Sequence, residues 1–206
     1  MKYTDIIFDF DGTLSDTYPC FANAFLDTCR DFSVDCSYER AYDLLKKSVG
    51  HAMNSFDFGV PHNIVDRSFH DYHCIRAVTE QKPFPDASEL LEFIRKNGGR
   101  SYIYSHSGII VQQLVNIWGW REYFCGVIDA RLKVPRKPDP TGLNHICEKY
   151  SIDKSRAIMV GDRDIDTDAG KNAGIDGCLF DPENYYPETC VKFRINKLTD
   201  LENIIL

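Results

Sequence analysis

The sequence predicts an α/β protein with a parallel sheet and an inserted helical domain, and three observations support this prediction. Short apolar runs rich in Ile, Val, Phe and Tyr recur along the chain, at residues 3–8, 101–104, 127–129, 157–160 and 177–180. Segments with helical periodicity lie between most of these runs, at residues 87–96, 109–118, 141–150 and 166–173. Strands that alternate with helices pair in parallel through right-handed crossovers, so helices cover both faces of the sheet.

The third observation is an interval of helical pattern that interrupts this alternation. Residues 18–79 show no strand pattern, and their helical segments are 21–32, 37–49 and 63–79. The interval is too long for an ordinary loop and has apolar faces of its own. We therefore predict a core of residues 1–14 and 86–206 and a helical cap domain of residues 15–85.

The composition is typical of an ordinary globular protein. Hydrophobic residues make up 43% of the 206 residues, charged residues make up 27%, and the formal net charge is −7. A negative net charge disfavours a nucleic-acid backbone or an anionic membrane surface as the main partner. We therefore expect no nucleic acid and no membrane among the partners, and either a monomer or a homodimer.

The eight cysteines show no pattern of a metal or redox site. The closest two, Cys29 and Cys36, are seven residues apart, so the chain has no CxxC pair. The first residues contain no apolar core of a signal peptide, and no apolar run is long enough to span a bilayer. We expect reduced thiols and a cytoplasmic protein.

Two carboxylates, Asp9 and Asp11, follow the first predicted strand, and Gly12 comes directly after them. An Asp-Gly pair is also typical of a hairpin turn, but a hairpin needs a second strand at once, and residues 14–19 resemble a turn into a helix. In the other interpretation, the strand delivers both carboxylates to the crevice at the carboxyl edge of the sheet. Gly12 would then keep the backbone slim beside a ligand.

Polar residues end two later strands in the same way. The run at 101–104 stops at Ser105, and the run at 157–160 stops just before Asp162. Between them, Lys137 lies in a proline-rich stretch that would hold its charge in place. Gathered at one sheet edge, these residues supply clustered oxygens, a fixed cation and a hydroxyl. This set suits Mg²⁺, which prefers a few carboxylates together with waters and phosphate oxygens.

The acidic run after the 157–160 strand has a competing interpretation as a calcium loop. With Asp162, Asp164 and Asp166 as ligands, Thr167 would occupy the glycine position and Ala173 the glutamate position. These mismatches make a calcium sensor a poor interpretation. A second alternative is a solvated acidic helix start, which the helix dipole favours.

Together these residues predict phosphoryl transfer. An aspartate attacks a phosphoryl group when a metal and a lysine suppress the repulsion between the two anions. A second carboxyl two residues further along a strand end projects from the same side. There it would protonate the leaving oxygen and later deprotonate the attacking water.

The residues resemble the four ordered motifs of the haloacid dehalogenase (HAD) superfamily. The motifs are Asp9-Phe10-Asp11-Gly12-Thr13, then Ser105, then Lys137, and finally Gly161-Asp162 with Asp166. The helical insert resembles the α-helical cap of the phosphoglycolate phosphatase and β-phosphoglucomutase branch. The resemblance covers essentially the whole chain and implies the Rossmann-like HAD fold with an inserted cap.

The resemblance also implies roles for the acidic residues. Asp9 would be the nucleophile, and Asp11 would be the general acid/base whose backbone carbonyl also binds the metal. Asp162 would be the third protein contact to Mg²⁺. Asp166 matches the second acid of the last motif, which in relatives either assists metal binding or orients Lys137.

The implied phosphate-binding residues are Ser105, His106, Gly12 and Thr13. Lys137 would neutralise charge on the nucleophile and the phosphate, and the Thr13 hydroxyl would support its loop. His106 stands where many relatives have asparagine or another small polar residue. We expect it either to contact the substrate or to pack beside the site.

Two cap residues, Lys47 and His51, lie near the place of the substrate-specificity loop in this branch. They are candidates to meet the leaving group, although a solvated helix end with favourable cations explains them equally well. At the return from the cap, we expect Asp86 to be the N-cap of the next helix.

The expected activity is that of a Mg²⁺-dependent phosphatase acting on a small phosphorylated metabolite. Asp11 argues against a dehalogenase, because displacement of halide needs no proton on the leaving group. A phosphosugar mutase is the alternative among enzymes, but a mutase of this branch would carry a hinge histidine where this chain has Phe21. A non-catalytic binding protein is the other alternative, since a fold does not fix a function.

Overall fold

A parallel sheet organises the protein, in a computed structural model that describes residues 1–206. The chain has eight strands: β1 (Asp5–Phe8), β2 (Ser15–Asp16), β3 (Lys82–Pro83), β4 (Arg100–Tyr104), β5 (Phe124–Ile128), β6 (Ala157–Gly161), β7 (Asp176–Phe180) and β8 (Phe193–Ile195). Six of them form one sheet in the order β5-β4-β1-β6-β7-β8, and every pair in it is parallel.

Nine α-helices complete the fold: α1 (Tyr18–Asp31), α2 (Tyr38–Lys47), α3 (Val49–Asn54), α4 (His62–Glu80), α5 (Ala87–Lys96), α6 (Ile110–Ile117), α7 (Thr141–Tyr150), α8 (Asp164–Ala173) and α9 (Glu202–Ile205). Apolar residues of the sheet, among them Ile7 and Met159, share a buried cluster with Leu143 of α7 and Ala169 of α8. The predicted α/β fold is confirmed. None of the nine helices combines the length and the apolar character that crossing a bilayer requires.

The register of β1 against its two neighbours determines where polar side chains gather. Phe8, the last residue of β1, pairs with Ile103 of β4 and with Val160 of β6. Because the three strands are parallel, they end at the same edge of the sheet within one or two residues of each other. The residues that follow them therefore meet there, as the sequence pattern predicts.

Strands β5 and β8 differ from the sequence prediction. β5 begins at Phe124, before the predicted start at residue 127, and the sequence pattern does not predict β8 at all. β8 is a short strand of three residues at the edge of the sheet, where Ile195 pairs with Phe180 of β7. Three residues are too few for a periodic pattern to indicate a strand.

The chain crosses twice between two compact units. One unit consists of Met1–Ser15 together with Pro83–Leu206, and the other consists of Asp16–Lys82. The segments at which the chain crosses form β2 and β3, which pair with each other as a small separate sheet. The first unit, which we call the sheet unit, is built from two stretches of chain. The second, which we call the helical unit, is one continuous stretch containing α1 to α4.

Aromatic residues form the interior of the helical unit. Phe25 of α1 lies at ring-centroid distances of 6.2 Å from Phe58 and 6.3 Å from Phe69. Phe21, one turn earlier, contacts the rings of Phe69 and His73. Edge-to-face contacts of this kind add to the stabilisation from buried area. Phe21 is therefore a packing residue within this unit.

The segment 37–49, predicted as one helix, forms two. Helix α2 ends at Lys47, and Ser48 has an extended backbone with φ −178° and ψ 159°. The Ser48 hydroxyl accepts a hydrogen bond from the backbone N–H of His51 at 2.9 Å and so caps α3. A serine that satisfies free N–H groups starts a new helix, so the local hydrogen bond prevails over the apolar periodicity.

Asp86 stands at the start of α5 but does not cap it with its side chain. Its carboxylate accepts hydrogen bonds from Thr199, from the backbone N–H at 3.0 Å and from the hydroxyl at 3.2 Å. Asp86 is the N-cap residue, as predicted, but its carboxylate makes no capping hydrogen bond because Thr199, distant in sequence, occupies it. Asp86 instead fastens the start of α5 to the turn before α9.

Candidate active site

The site lies at the carboxyl ends of β1, β4 and β6, within the sheet unit. The sheet ladder continues for one residue beyond β1 and β4: the Asp9 N–H donates to Val160 O at 2.8 Å, and the Ser105 N–H donates to Ile128 O at 3.0 Å. The backbone of Asp9 is thereby fixed by β6 and the backbone of Ser105 by β5. Side chains placed in this way need little reorganisation when a ligand binds.

The loop after β1 turns sharply at Gly12. Its φ of +81° is in the left-handed region, which glycine adopts without strain, and its N–H donates to Ser15 O at 2.8 Å. The turn buries Thr13 completely, and the Thr13 hydroxyl donates to Asp162 Oδ1 at 3.3 Å. The threonine therefore orients a carboxylate from β6.

Lys137 bridges two carboxylates of the site, those of Asp9 and Asp166. Its Nζ donates to Asp9 Oδ1 at 2.8 Å and to Asp166 Oδ1 at 2.7 Å, and the lysine side chain is only 1% exposed. Burial alone would lower the pKa of this ammonium, but the negative charges of Asp166 and Asp9 outweigh burial and hold the pKa above its ordinary value. The ammonium is therefore a permanent positive charge against Asp9.

Asp166 is completely buried at the start of α8. Its Oδ1 accepts from Lys137, and its Oδ2 accepts from the backbone N–H of Arg163 at 3.1 Å. Burial raises the pKa of the Asp166 carboxyl, and the charge of Lys137 opposes that rise. A side chain at position 161 would overlap Asp166, so Gly161 leaves the space that this carboxyl occupies.

Three buried carboxylates form a compact cluster of oxygen atoms. Asp9, Asp162 and Asp166 each offer an oxygen, and these atoms lie within 4.8 Å of one another. Hard divalent cations prefer oxygen ligands, and Mg²⁺ is commonly held by one or two carboxylates with waters and substrate oxygens completing its shell. The donor set therefore fits Mg²⁺.

The Asp11 carboxylate is bound by two serines after β4. Its Oδ2 accepts from the Ser107 hydroxyl at 2.5 Å and lies 3.4 Å from the Ser105 hydroxyl. The backbone N–H of Ser107 in turn donates to Ser105 Oγ at 3.0 Å. Ser107 is a site residue that the sequence analysis missed. The available signal is its spacing, because residues two apart at a strand end project to the same side.

His106 contacts the lysine loop. Its Nε2 accepts a hydrogen bond from the backbone N–H of Lys137 at 2.9 Å. Burial, together with the nearby charges of Lys137 and Arg136, lowers the pKa of His106 to about 4. The imidazole is therefore neutral near pH 7, with its proton on Nδ1.

The cap candidates lie in the helical unit. Lys47 is the last residue of α2, His51 lies in α3, and both side chains are exposed. The preceding residue, Lys46, is buried, with its Nζ 4.4 Å from the centroid of the Tyr18 ring and 5.8 Å from that of Tyr42. A pattern of adjacent lysines does not reveal which of them is buried.

Comparison with known protein families gives a match over most of the chain. The sequence model of a family described as haloacid dehalogenase-like hydrolase matches residues 6–180. A phosphoglycolate phosphatase of Psychrobacter arcticus is 27% identical over 197 residues, which cover 83% of this chain and 80% of that protein. The pyrophosphatase PpaX of Listeria welshimeri is 25% identical over 217 residues, covering 99% and 97%.

Solved structures show the same fold. A hydrolase from Streptococcus pneumoniae TIGR4 is 30% identical with a TM-score of 0.67, and the match covers 87% of this chain and 94% of that one. A predicted phosphoglycolate phosphatase from Haemophilus somnus has a TM-score of 0.87 over 100% of this chain and 99% of that one. It is only 18% identical, so this second similarity concerns the fold alone.

Proposed function

The chain belongs to the haloacid dehalogenase-like hydrolases, and we propose that it is a magnesium-dependent phosphatase that cleaves a small phosphorylated metabolite through an aspartyl-phosphate on Asp9. Its relatives include proteins named as phosphatases. The proposal adds the metal, the covalent intermediate and the role of each residue.

The position of Lys137 is the observation that carries the proposal. Its buried ammonium bridges Asp9 and Asp166 and lies beside the oxygen cluster that includes Asp162. A carboxylate attacks a phosphate only when the repulsion between the two anions is reduced. A cation already fixed against the nucleophile reduces it without further reorganisation. A protein that only binds an anion has no need of a carboxylate held in this way.

In the first step, an oxygen of the Asp9 carboxylate attacks phosphorus, and the bond from phosphorus to the leaving oxygen breaks. Asp11 gives its proton to that oxygen, so the product leaves as a neutral hydroxyl compound. The phosphoryl oxygens are held by the Ser105 hydroxyl and by the backbone N–H groups beside it. Lys137 balances the charge that these oxygens carry.

In the second step, water attacks the phosphorus of the aspartyl-phosphate. Asp11, now a carboxylate, takes a proton from this water, and the bond between phosphorus and Asp9 breaks. Inorganic phosphate leaves, and the Asp9 carboxylate and the Asp11 proton are restored.

We assign the metal to Asp9, Asp162 and the backbone carbonyl of Asp11. When bound, Mg²⁺ supplies positive charge that stabilises the oxygens of the transferring phosphoryl group. Asp166 has both oxygens engaged by Lys137 and by the N–H of Arg163. We therefore propose that Asp166 orients the lysine, which was one of its two expected roles.

The names of the relatives support a small anionic substrate, such as phosphoglycolate or pyrophosphate. We propose that the helical unit serves as the cap and that Lys47 and His51, which are exposed, meet the leaving group. All eight cysteines are free, which suits the reducing conditions of the cytoplasm, where we propose that the protein acts.

Phosphate release from a panel of phosphorylated metabolites, pyrophosphate and an aryl phosphate tests the proposal. The panel is run with Mg²⁺ and with a chelator, for wild type and for Asp9→Asn. We expect metal-dependent release that falls at least about a thousandfold in the variant. Asp168→Asn, which changes an exposed carboxyl on α8, is the matched control.

Each alternative result has a distinct meaning. Release that survives Asp9→Asn would refute the nucleophile, and release that is unchanged by chelator would refute the metal. Interconversion of phosphosugars without net phosphate release would identify a mutase. A folded wild-type protein that turns over none of the compounds would favour a binding protein.

A further inference from the structure

The two residues that flank Ser105, Tyr104 and His106, contact Lys137 in different ways. His106 accepts the backbone N–H of the lysine, and the ring of Tyr104 lies beneath its ammonium. Neither residue forms a hydrogen bond with the carboxylates of the Asp9, Asp162 and Asp166 cluster. Lys137 is the partner that the two residues share. The role that we infer for them rests on the proposed function.

The contact from His106 fixes the main chain of the lysine loop. The N–H of Lys137 is 2.9 Å from Nε2 of the half-buried imidazole. Lys137 lies in an irregular segment between β5 and α7, where no strand or helix supplies a partner for that N–H. The imidazole is the acceptor that an ordered element would otherwise provide.

The contact from Tyr104 concerns the charged end of the same side chain. Lys137 Nζ lies 4.9 Å from the centroid of the Tyr104 ring, within the range of a cation–π attraction. The ring is 1% exposed, and its hydroxyl has no hydrogen-bond partner. A side chain at position 142 would overlap this hydroxyl, so Gly142 opens the space that the ring needs.

We propose that Tyr104 and His106 are positioning residues that hold Lys137 through the catalytic cycle. Asp9 is an anion at the start of the cycle but loses its charge when it carries the phosphoryl group. At that stage the lysine keeps only Asp166 as a carboxylate partner. The tyrosine ring and the imidazole retain it where the phosphoryl oxygens need its charge. In this proposal His106 acts through the lysine, in agreement with the second of its two expected roles, packing beside the site.

The test compares steady-state turnover of an aryl phosphate in variants of both residues. We expect His106→Ala to lower kcat roughly tenfold and His106→Gln, whose side-chain oxygen accepts from the same N–H, to restore most of it. We likewise expect Tyr104→Leu to lower kcat and Tyr104→Phe to retain most of it, because phenylalanine keeps the ring face against the ammonium. His145→Ala, in α7 of the same unit, is the matched control and should retain wild-type turnover.

A double-mutant cycle separates positioning from a general effect on folding. In a Lys137→Gln background, His106→Ala should change kcat by less than about twofold, because the group it positions is absent. Losses that multiply in the double variant would overturn the proposal. So would His106→Gln being as impaired as His106→Ala. If His106→Ala does not fold, the same double-mutant cycle is run with Tyr104→Leu and Tyr104→Phe in the Lys137→Gln background.

Hydrogen exchange of the Lys137 amide keeps the result independent of turnover. In the folded wild-type protein this amide should exchange slowly, and in His106→Ala it should exchange at least about tenfold faster. An unchanged rate would overturn the contact itself. Failure of wild type to release phosphate would instead refute the proposed function, and with it the catalytic purpose of the contact.

Discussion

The serine at position 107 controls the direction of the second carboxylate. Its hydroxyl is 2.5 Å from Asp11 Oδ2, and its backbone N–H is tied to Ser105. We propose Asp11 as the general acid, and a general acid works only when its proton points at the leaving oxygen, so in that proposal the hydrogen bond from Ser107 bears directly on proton transfer.

Replacing Ser107 by alanine removes the 2.5 Å hydrogen bond to Asp11 and leaves the longer contact with the Ser105 hydroxyl. We expect kcat for an alkyl phosphate to fall roughly tenfold and kcat for an activated aryl phosphate to fall less. The reason is that a poor leaving group depends more on protonation by the acid. Ser155→Ala, at an exposed position of the sheet unit, serves as the control. Equal loss for both substrates would contradict a role through Asp11.

The neutral state of His106 predicts how stability depends on pH. Its pKa is about 4 in the folded protein, against an ordinary value of 6.5. Between these values the unfolded chain binds a proton that the folded protein does not, so the free energy of unfolding falls as the pH decreases through this window. His106→Gln should therefore show a shallower decrease than wild type in urea unfolding between about pH 7 and pH 4. Parallel pH profiles would contradict it.

At this scale, sequence motifs indicated some site residues but not others. Asp9, Asp11 and Asp162 stand at strand ends, where alternation between strand and helix is enough to place them. Tyr104, whose ring lies against Lys137, becomes part of the site only through a partner far away in the chain. Contacts of that kind leave no periodic signal in a single sequence.

An ion pair joins the edge strand β8 to the residue that follows β7. Asp181, just after β7, is 2% exposed and accepts from Arg194 Nη1 at 2.5 Å and from the backbone N–H groups of Tyr185 and Tyr186 at 2.6 and 3.0 Å. Arg194 also donates to the carbonyls of Tyr186 and Thr189. The pair closes the loop between the two strands, which explains why a strand too short to be predicted is present.

Asp181→Asn should therefore weaken the edge of the sheet. The arginine would lose its charged partner in a poorly hydrated place, and we expect the free energy of unfolding to fall by about 2–3 kcal/mol. Urea unfolding measures this change. Asp200→Asn, in the turn that follows β8, provides a comparison at a more exposed carboxyl. A loss below about 0.5 kcal/mol would show that β8 does not need the pair.

The helical unit is one continuous stretch with an interior of its own. Its aromatic cluster draws on α1, α4 and the segment between α3 and α4. Chains of this size often bury enough surface to fold alone. We expect residues 16–82, produced as a fragment, to be helical by circular dichroism and to unfold cooperatively on heating.

A variant makes that experiment decisive. Phe25→Ala removes the ring at the centre of the cluster and should lower the free energy of unfolding of the fragment by about 3–4 kcal/mol, enough to abolish its transition. A fragment without a cooperative transition would show that the interior of this unit depends on the rest of the chain.

For the whole molecule, pattern alone was sufficient to predict the parallel sheet and the helical nature of the insert, because both depend on periodicity over many residues. It was insufficient for the break at Ser48 and for the side chain of Asp86. Both are decided by single hydrogen bonds, one local and one to Thr199. The type of a helix or strand depends on the residue pattern averaged over a whole segment. Where the element ends and which distant residue it contacts depend on individual hydrogen bonds.

The central position of β1 has a consequence for protein synthesis. β1 leaves the ribosome before its partners β4 and β6, with which it pairs through Arg100 and Ala157. At roughly 5–20 residues per second, the nascent chain carries an apolar strand without neighbours for roughly 5–20 s before β4 emerges, and longer before β6 does. The helical unit emerges complete during this wait. A chaperone can therefore meet the apolar residues of this buried strand before the sheet is able to cover them.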